Sequence, residues 1–166
     1  MLTAAAVTYS REVLDGGLWD EIAPLLEAHW HEVAHYPDLA LAPRRDLYEK
    51  IADAGNLRVY TARVDAGPTR GRLVGYLAAL VTPSLHYAPH VYAQQDVLFV
   101  DKSHRGSRVG VDLIRFAHDQ LRAEGVTALY QHVKHRSDLN VGPMLERLLG
   151  YEHVDDIYAV RLDRSR

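Results

Sequence analysis

No cysteine occurs among the 166 residues, which excludes disulfide staples, thiolate nucleophiles and cysteine-ligated zinc, and suits a reducing compartment. No charge of one sign dominates: 19 Lys and Arg stand against 22 Asp and Glu. That balance argues against the broad basic face that holds nucleic acid. No apolar run is long enough to cross a membrane, and the opening MLTAAAVTYSRE lacks a basic n-region and turns polar by Ser10. The expectation is a soluble cytoplasmic protein with neither membrane nor nucleic-acid partners. Repeats, low-complexity tracts and linkers are also missing. With 48% hydrophobic residues, one domain over residues 1–166 is expected to bury its own core.

What is present is periodic. Trp19, Ile22, Ala23, Leu26, Trp30, Val33 and Ala34 recur at three- and four-residue steps, the stripe of an amphipathic helix that Tyr36-Pro37-Asp38 ends. A second helix is predicted from about Arg44 to Ala54, stopped by Gly55-Asn56. Strands are then expected at 57–64 and 73–81 around a Gly- and Pro-bearing turn, and at 92–100 after a loop rich in His, Tyr and Pro. A helix over 108–124, a strand over 128–133, a short helix from Gly142-Pro143 to Gly150 and a terminal strand over 157–162 complete the order. With an opening strand, that order predicts a mixed α/β (α+β) sheet.

The chemistry concentrates in DVLFVDKSHRGSRVG, residues 96–110. An apolar strand runs into a Gly- and Arg-bearing turn that opens directly into a helix. Such a turn aims backbone N–H groups at one point, where the helix dipole also favours an anion. Arg105 and Arg108 bring mobile positive charge there, and Gly106 and Gly110 allow close approach of phosphates. Neither the GxxxxGK[ST] nor the GxGxxG spacing is present. Gly106 and Gly110 taken alone also suit a plain turn and helix packing, the lesser of the two readings.

Arg105-Gly106-Ser107-Arg108-Val109-Gly110 resembles the Q/R-x-x-G-x-G/A signature of the GNAT acetyltransferase family, with Arg108 in place of its first glycine. The order of elements and the closing segment Leu145-Glu146-Arg147-Leu148-Leu149-Gly150-Tyr151 are similar to that family over nearly the whole chain. More narrowly, HWHEV, the HY before the fourth strand, DVLFV and LLERLLGY resemble small members found in bacteriophage genomes.

The resemblance implies a mostly antiparallel sheet of six to seven strands with about four helices, splayed between strands four and five. It implies acetyl-CoA as co-substrate and transfer of its acetyl group to a primary amine of a small molecule or a protein. The thioester would lie along the main chain of Leu98, Phe99 and Val100, with the Val100 N–H polarising the carbonyl. The diphosphate would sit on His104, Arg105, Gly106, Ser107, Arg108, Val109 and Gly110. Asn140, Met144 and Arg147 would touch the cofactor's pantetheine or adenine end. Asp96 is the expected general base, with His132 and His86 as rivals. Trp30, Glu32, Tyr36, His86, Tyr87 and His132 would wall the acceptor site, Glu32 attracting a cation and the aromatics adding cation–π contact. The family's tyrosine acid on the last helix is replaced by Glu146 or Arg147, leaving Tyr151 or water to protonate the thiolate. A homodimer is compatible with the resemblance.

Two other readings stand beside it. The fold could keep a cofactor pocket for recognition alone, as an acyl-CoA-binding module. His31-Glu32-Val33-Ala34-His35 also fits HExxH, the helical zinc motif of metallopeptidases, although such a pattern arises easily by accident among ten histidines. No metal is assigned on that ground.

Overall fold

The computed structural model describes residues 6–134 and 141–163. Five strands form one sheet in chain order: β1 (Val7–Glu12), β2 (Leu57–Val64), β3 (Leu73–Pro83), β4 (Val91–Val100) and β5 (Ala128–Tyr130). The first four pair antiparallel, and β5 runs parallel to β4. Helices α1 (Gly16–Val33), α2 (Arg45–Asp53), α3 (Val109–Ala123) and α4 (Val141–Leu149) fill the remaining connections. This is the mixed fold read from the pattern, with two corrections.

Residues 151–163 form neither strand nor helix, so the strand expected at 157–162 is absent, and five strands replace the predicted six to seven among the described residues. The second correction is that β5 stops at Tyr130 rather than Val133. Apolar alternation marks a segment as fit for a sheet, but an edge must be available to receive it.

Side-chain alternation sorts the core into two layers. Val74, Leu77 and Ala79 of β3 face Leu113, Ile114, Ala117 and Leu121 of α3, with Leu145 of α4 joining them. Leu73, Tyr76 and Ala78 face the other way, onto Leu18 and Ile22 of α1 and Tyr48, Ile51 and Ala52 of α2. Helix α1 begins before its apolar stripe because the Asp15 carboxylate accepts the Leu18 amide at 2.8 Å, an N-cap. Helix α4 ends at Gly150, whose φ of +71° a side chain would strain.

One irregularity places the site. Ala78 pairs with Val97 but Ala79 pairs with Gln95, so Asp96 is the extra residue of a bulge in β4. The bulge interrupts alternation, turning Asp96 toward α2 while Val97 and Phe99 still face α1.

Candidate functional site

Strands β4 and β5 pair over three residues, Tyr92, Ala93 and Gln94 against Ala128, Leu129 and Tyr130. Beyond Gln94 they part. The His132 amide donates to the Gln95 Oε1 at 3.2 Å, and the His132 Nε2 lies 3.4 Å from the Gln94 Nε2, marking the fork. From Gln95 to Val100 the outer edge of β4 carries no strand among the described residues.

Register decides which main-chain groups face that open edge. The Asp101 amide donates to the Val74 carbonyl at 2.8 Å, and Val100 lies opposite Gly75. In an antiparallel ladder this makes Phe99 and Tyr76 a hydrogen-bonded pair. Both polar groups of Phe99 are therefore spent on β3, while those of Leu98 and Val100 point outward. Of the three residues expected to line a thioester with their main chain, Phe99 contributes only its ring. The Val100 carbonyl accepts from the Arg105 Nε at 2.7 Å.

Below the strand end, a 3-10 turn (Lys102–His104) leads into the loop before α3. The amides of His104, Arg105 and Val109 are taken by the Asp101 carbonyl, the Lys102 carbonyl and the Ser107 hydroxyl. Those of Gly106, Ser107, Arg108, Gly110 and Val111 meet no protein acceptor among the described residues. The run of amides without acceptors among the described residues thus differs from the 104–110 stretch expected from the sequence: it omits His104, Arg105 and Val109 and reaches Val111. Gly106 sits at φ +73°, the left-handed region closed to most side chains. The Ser107 Oγ donates to the His104 carbonyl at 2.5 Å, closing the turn.

The two arginines behave differently. Arg105, expected as mobile charge, is anchored inward: its Nη1 lies 2.8 Å from a Glu32 carboxylate oxygen and its guanidinium stacks over Phe99 at 5.4 Å. Arg108 lies at the surface and pairs with Asp112 at 3.2 Å. Glu32, expected to attract a cationic acceptor, is instead held by Arg105, with Lys102 at 3.5 Å. Partial burial pulls the Glu32 carboxyl upward, but Arg105 and Lys102 outweigh it and hold it below the usual carboxylate range.

Asp96 accepts a hydrogen bond from the Tyr48 hydroxyl at 2.6 Å. Burial pushes the Tyr48 phenol well above its ordinary value, and the Asp96 charge adds to it. Tyr48 rests against Trp19, ring centroids 5.6 Å apart. Tyr76 lies beneath, 2% exposed, its hydroxyl without a hydrogen-bond partner among the described residues. On the other side, His29 of α1 packs on Phe99 at 5.7 Å. Burial, with Lys134 and Arg105, holds its imidazole below the usual value against the upward pull of Glu32 and Asp96. His29 and Tyr48 were not legible beside Asp96 from the sequence, and Arg105 was legible without its inward turn to Glu32. Tyr48 shares a helical stripe with Ile51 and Ala52, which announces burial but not its acidic partner.

The remaining candidates scatter. Trp30 is half-buried against the His31 ring, centroids 5.0 Å apart, and Tyr36 lies under Arg161 at 5.2 Å. His86 and Tyr87 are exposed on a loop closed by Ser84. Arg147 is exposed on α4 with no ion pair among the described residues, and Asn140 lies outside them. The Tyr151 hydroxyl meets the His118 Nε2 at 2.7 Å, on the α3 side of the sheet, so it is no proton donor for this cleft. His31 and His35 are exposed while Glu32 turns in to Arg105, so the HExxH residues do not converge. No cluster of three or more metal-ligating side chains occurs among the described residues.

Comparison with known proteins accords with this geometry. The profile of the acetyltransferase (GNAT) family matches residues 19–151. No curated protein matches. Among solved structures, a ribosomal-protein-alanine N-acetyltransferase from Brucella melitensis biovar Abortus 2308 is similar with a TM-score of 0.68 and 22% identity, covering 95% of this chain and 99% of that one. An aminoglycoside acetyltransferase from an uncultured soil metagenomic sample, in complex with sisomicin, superposes with a TM-score of 0.70 at 16% identity, over 93% and 97% of the two chains. A glucosamine-6-phosphate N-acetyltransferase from Arabidopsis thaliana gives 0.68 at 12% identity, over 94% and 99%. At such identities the likeness is one of fold.

Proposed function

The chain belongs to the acetyltransferase (GNAT) family, and on that premise we propose that it transfers an acetyl group from acetyl-CoA to a primary amine of a small molecule or a protein, with Asp96 as the base. One observation carries the reading: an open β4 edge lies beside a run of backbone amides that meet no acceptor among the described residues. The residues present fit the cofactor's two polar parts, an amide-rich turn at a helix N-terminus for a diphosphate and a strand edge for an extended amide-bearing arm.

In this scheme the amides of Gly106, Ser107, Arg108, Gly110 and Val111 hold the diphosphate, and the N-terminal dipole of α3 adds to them. Arg108, exposed at the rim, supplies the mobile charge that Arg105 does not. Arg105 acts as a brace, tying the Val100 carbonyl to Glu32 of α1. The Val100 N–H, facing the open edge, donates to the acetyl oxygen; a preorganised donor of this kind stabilises a transition state by about 3 kcal/mol. The bound cofactor supplies an acetyl group already activated as a thioester.

The acceptor must lose a proton to attack. An amine of pKa about 10.4 is roughly 0.04% neutral at pH 7, a deficit of about 4.6 kcal/mol. Asp96 takes that proton directly or through water, while Tyr48 fixes the rotation of its carboxylate. The position of the family's tyrosine acid on α4 is held by Glu146 or Arg147, and the Tyr48 hydroxyl is committed to Asp96. A thiolate of conjugate pKa about 8.5 is already a fair leaving group near neutral pH, and water can protonate it.

The acetyltransferases of similar fold act on a ribosomal protein's alanine, aminoglycosides and an amino-sugar phosphate by their names, so the fold selects no acceptor. Titration calorimetry with acetyl-CoA, followed by thiol release over a panel of amines, tests the proposal. Saturable binding and amine-dependent thiol release are expected. Absence of binding sinks the reading, and tight binding without turnover on any amine replaces it with the cofactor-binding module.

A further inference from the structure

Charge around the cleft is unevenly covered. Glu32 spends both carboxylate oxygens on Arg105, at 2.8 and 3.2 Å, so Lys102 at 3.5 Å is surplus to that pair. Asp96, the carboxylate at the bulge, takes the Tyr48 hydroxyl. Facing it across the fork, the chain beyond β5 is tied to β4 by the His132 amide on the Gln95 side chain. Lys134 follows two residues later, exposed and without an ion pair among the described residues. The His29 ring, packed on Phe99, shows that these groups share one space: after burial, the influences on its imidazole are, in falling order, Glu32, Lys134, Arg105 and Asp96. With Lys102 the cleft holds three cations against two carboxylates, and both carboxylates already have partners.

Such a cleft repels an acceptor with several ammonium groups. Once the first meets Asp96, a second finds no carboxylate without a partner among these groups and comes up against Lys134 instead. An amine that brings its own anion meets both ends, its nitrogen on the Asp96 side and its negative group on the uncovered lysine, where a charge-assisted hydrogen bond forms. We propose that the acceptor is an amine that also carries a carboxylate or a phosphate, and that Lys134 holds this anion while the amine meets Asp96. The proposal rests on the acetyl-transfer reading and narrows its acceptor to one chemical class. It assigns Lys134 to specificity and leaves the acetyl-transfer step itself to the groups already described.

Thiol release over matched acceptors tests it, with acetyl-CoA binding followed by calorimetry in parallel. β-Alanine is set against propylamine for the carboxylate, and O-phosphoethanolamine against ethanolamine for the phosphate. In at least one pair, kcat/KM for the anion-bearing member is expected to exceed that of its partner by about tenfold or more, the weight of one hydrogen bond to a charged group. Which pair responds identifies the anion. Lys134→Gln is expected to cut that ratio by about tenfold, and Lys134→Arg, which keeps the charge, to recover most of it. Comparing each variant with the unaltered chain on the same amine cancels the amine's own pKa. A preference for propylamine, ethanolamine or the polycation spermidine overturns the proposal and leaves acetyl transfer standing. So does a preference for the anion-bearing member that Lys134→Gln leaves intact. Absence of acetyl-CoA binding, or binding without thiol release on any amine, removes the transfer reading and the proposal with it.

Discussion

Asp96 owes its position to a single inserted residue. A regular β4 would place it on the face opposite Val97; the bulge lets both lean toward the α1 and α2 side, where Tyr48 meets the carboxylate at 2.6 Å. Asp96→Asn keeps the shape and removes the base, so kcat is expected to fall at least ~100-fold, the usual weight of a positioned base, while calorimetric affinity for acetyl-CoA stays within about twofold. An activity equal to wild type would transfer the role elsewhere, first to His29. Tyr48→Phe removes one hydrogen bond to a charged group, worth about 1.5–3 kcal/mol where buried. Steady-state kinetics should show kcat lower by about tenfold with the KM for acetyl-CoA unchanged. A rise in that KM instead would place Tyr48 in cofactor binding.

At the scale of elements, the loop from Asp101 to Gly110 and the helix it opens act together. Gly106 holds φ +73°, a conformation that costs a residue with a Cβ roughly 1–2 kcal/mol. Nothing lies within 4 Å of where that Cβ would sit, so the cost falls on the backbone alone. Gly106→Ala is expected to leave the fold cooperative and weaken acetyl-CoA binding by about tenfold, as free amides turn away from a common point; unchanged affinity would mean that those amides do not bind the diphosphate. Arg105→Lys keeps the charge but loses the fork that reaches both Glu32 and the Val100 carbonyl. Helix α3 anchors this arrangement through Leu113 and Ile114, both fully buried. Leu113→Ala should destabilise the protein by about 2–5 kcal/mol in denaturant unfolding.

Across the whole molecule, two half-buried histidines set an acid limit. Burial holds His29 on α1 and His118 on α3 below the usual imidazole value. The unfolded chain binds protons at these sites more readily than the folded one, so their contribution is fully present above the unfolded value of about 6.5 and declines as pH falls below it. Glu12, Glu32 and Asp101, all held below the usual carboxylate range, lose their contribution at still lower pH. Thermal unfolding should therefore show a melting temperature that drops between about pH 6.5 and 5, and His118→Gln should flatten part of that drop. A flat profile through that interval would mean that the histidines do not resist protonation.

Much of this was determined by local sequence. Periodicities of 3.6 and 2 with their stop residues located all four helices and strands β2 to β4, because amphipathic faces must be buried whatever the topology. The strand-turn-helix run through Arg105 and Gly106 marked a helix start with free amides, because such amides follow from backbone geometry alone. Tertiary structure decided what depends on distant partners. It turned Arg105 to Glu32 rather than outward, brought Tyr48 from α2 to Asp96 across 48 residues of chain, and left residues 157–162 without a sheet. Pairing of this kind is a matter of which surfaces meet, and neither a helical stripe nor a strand's alternation carries the address of its partner.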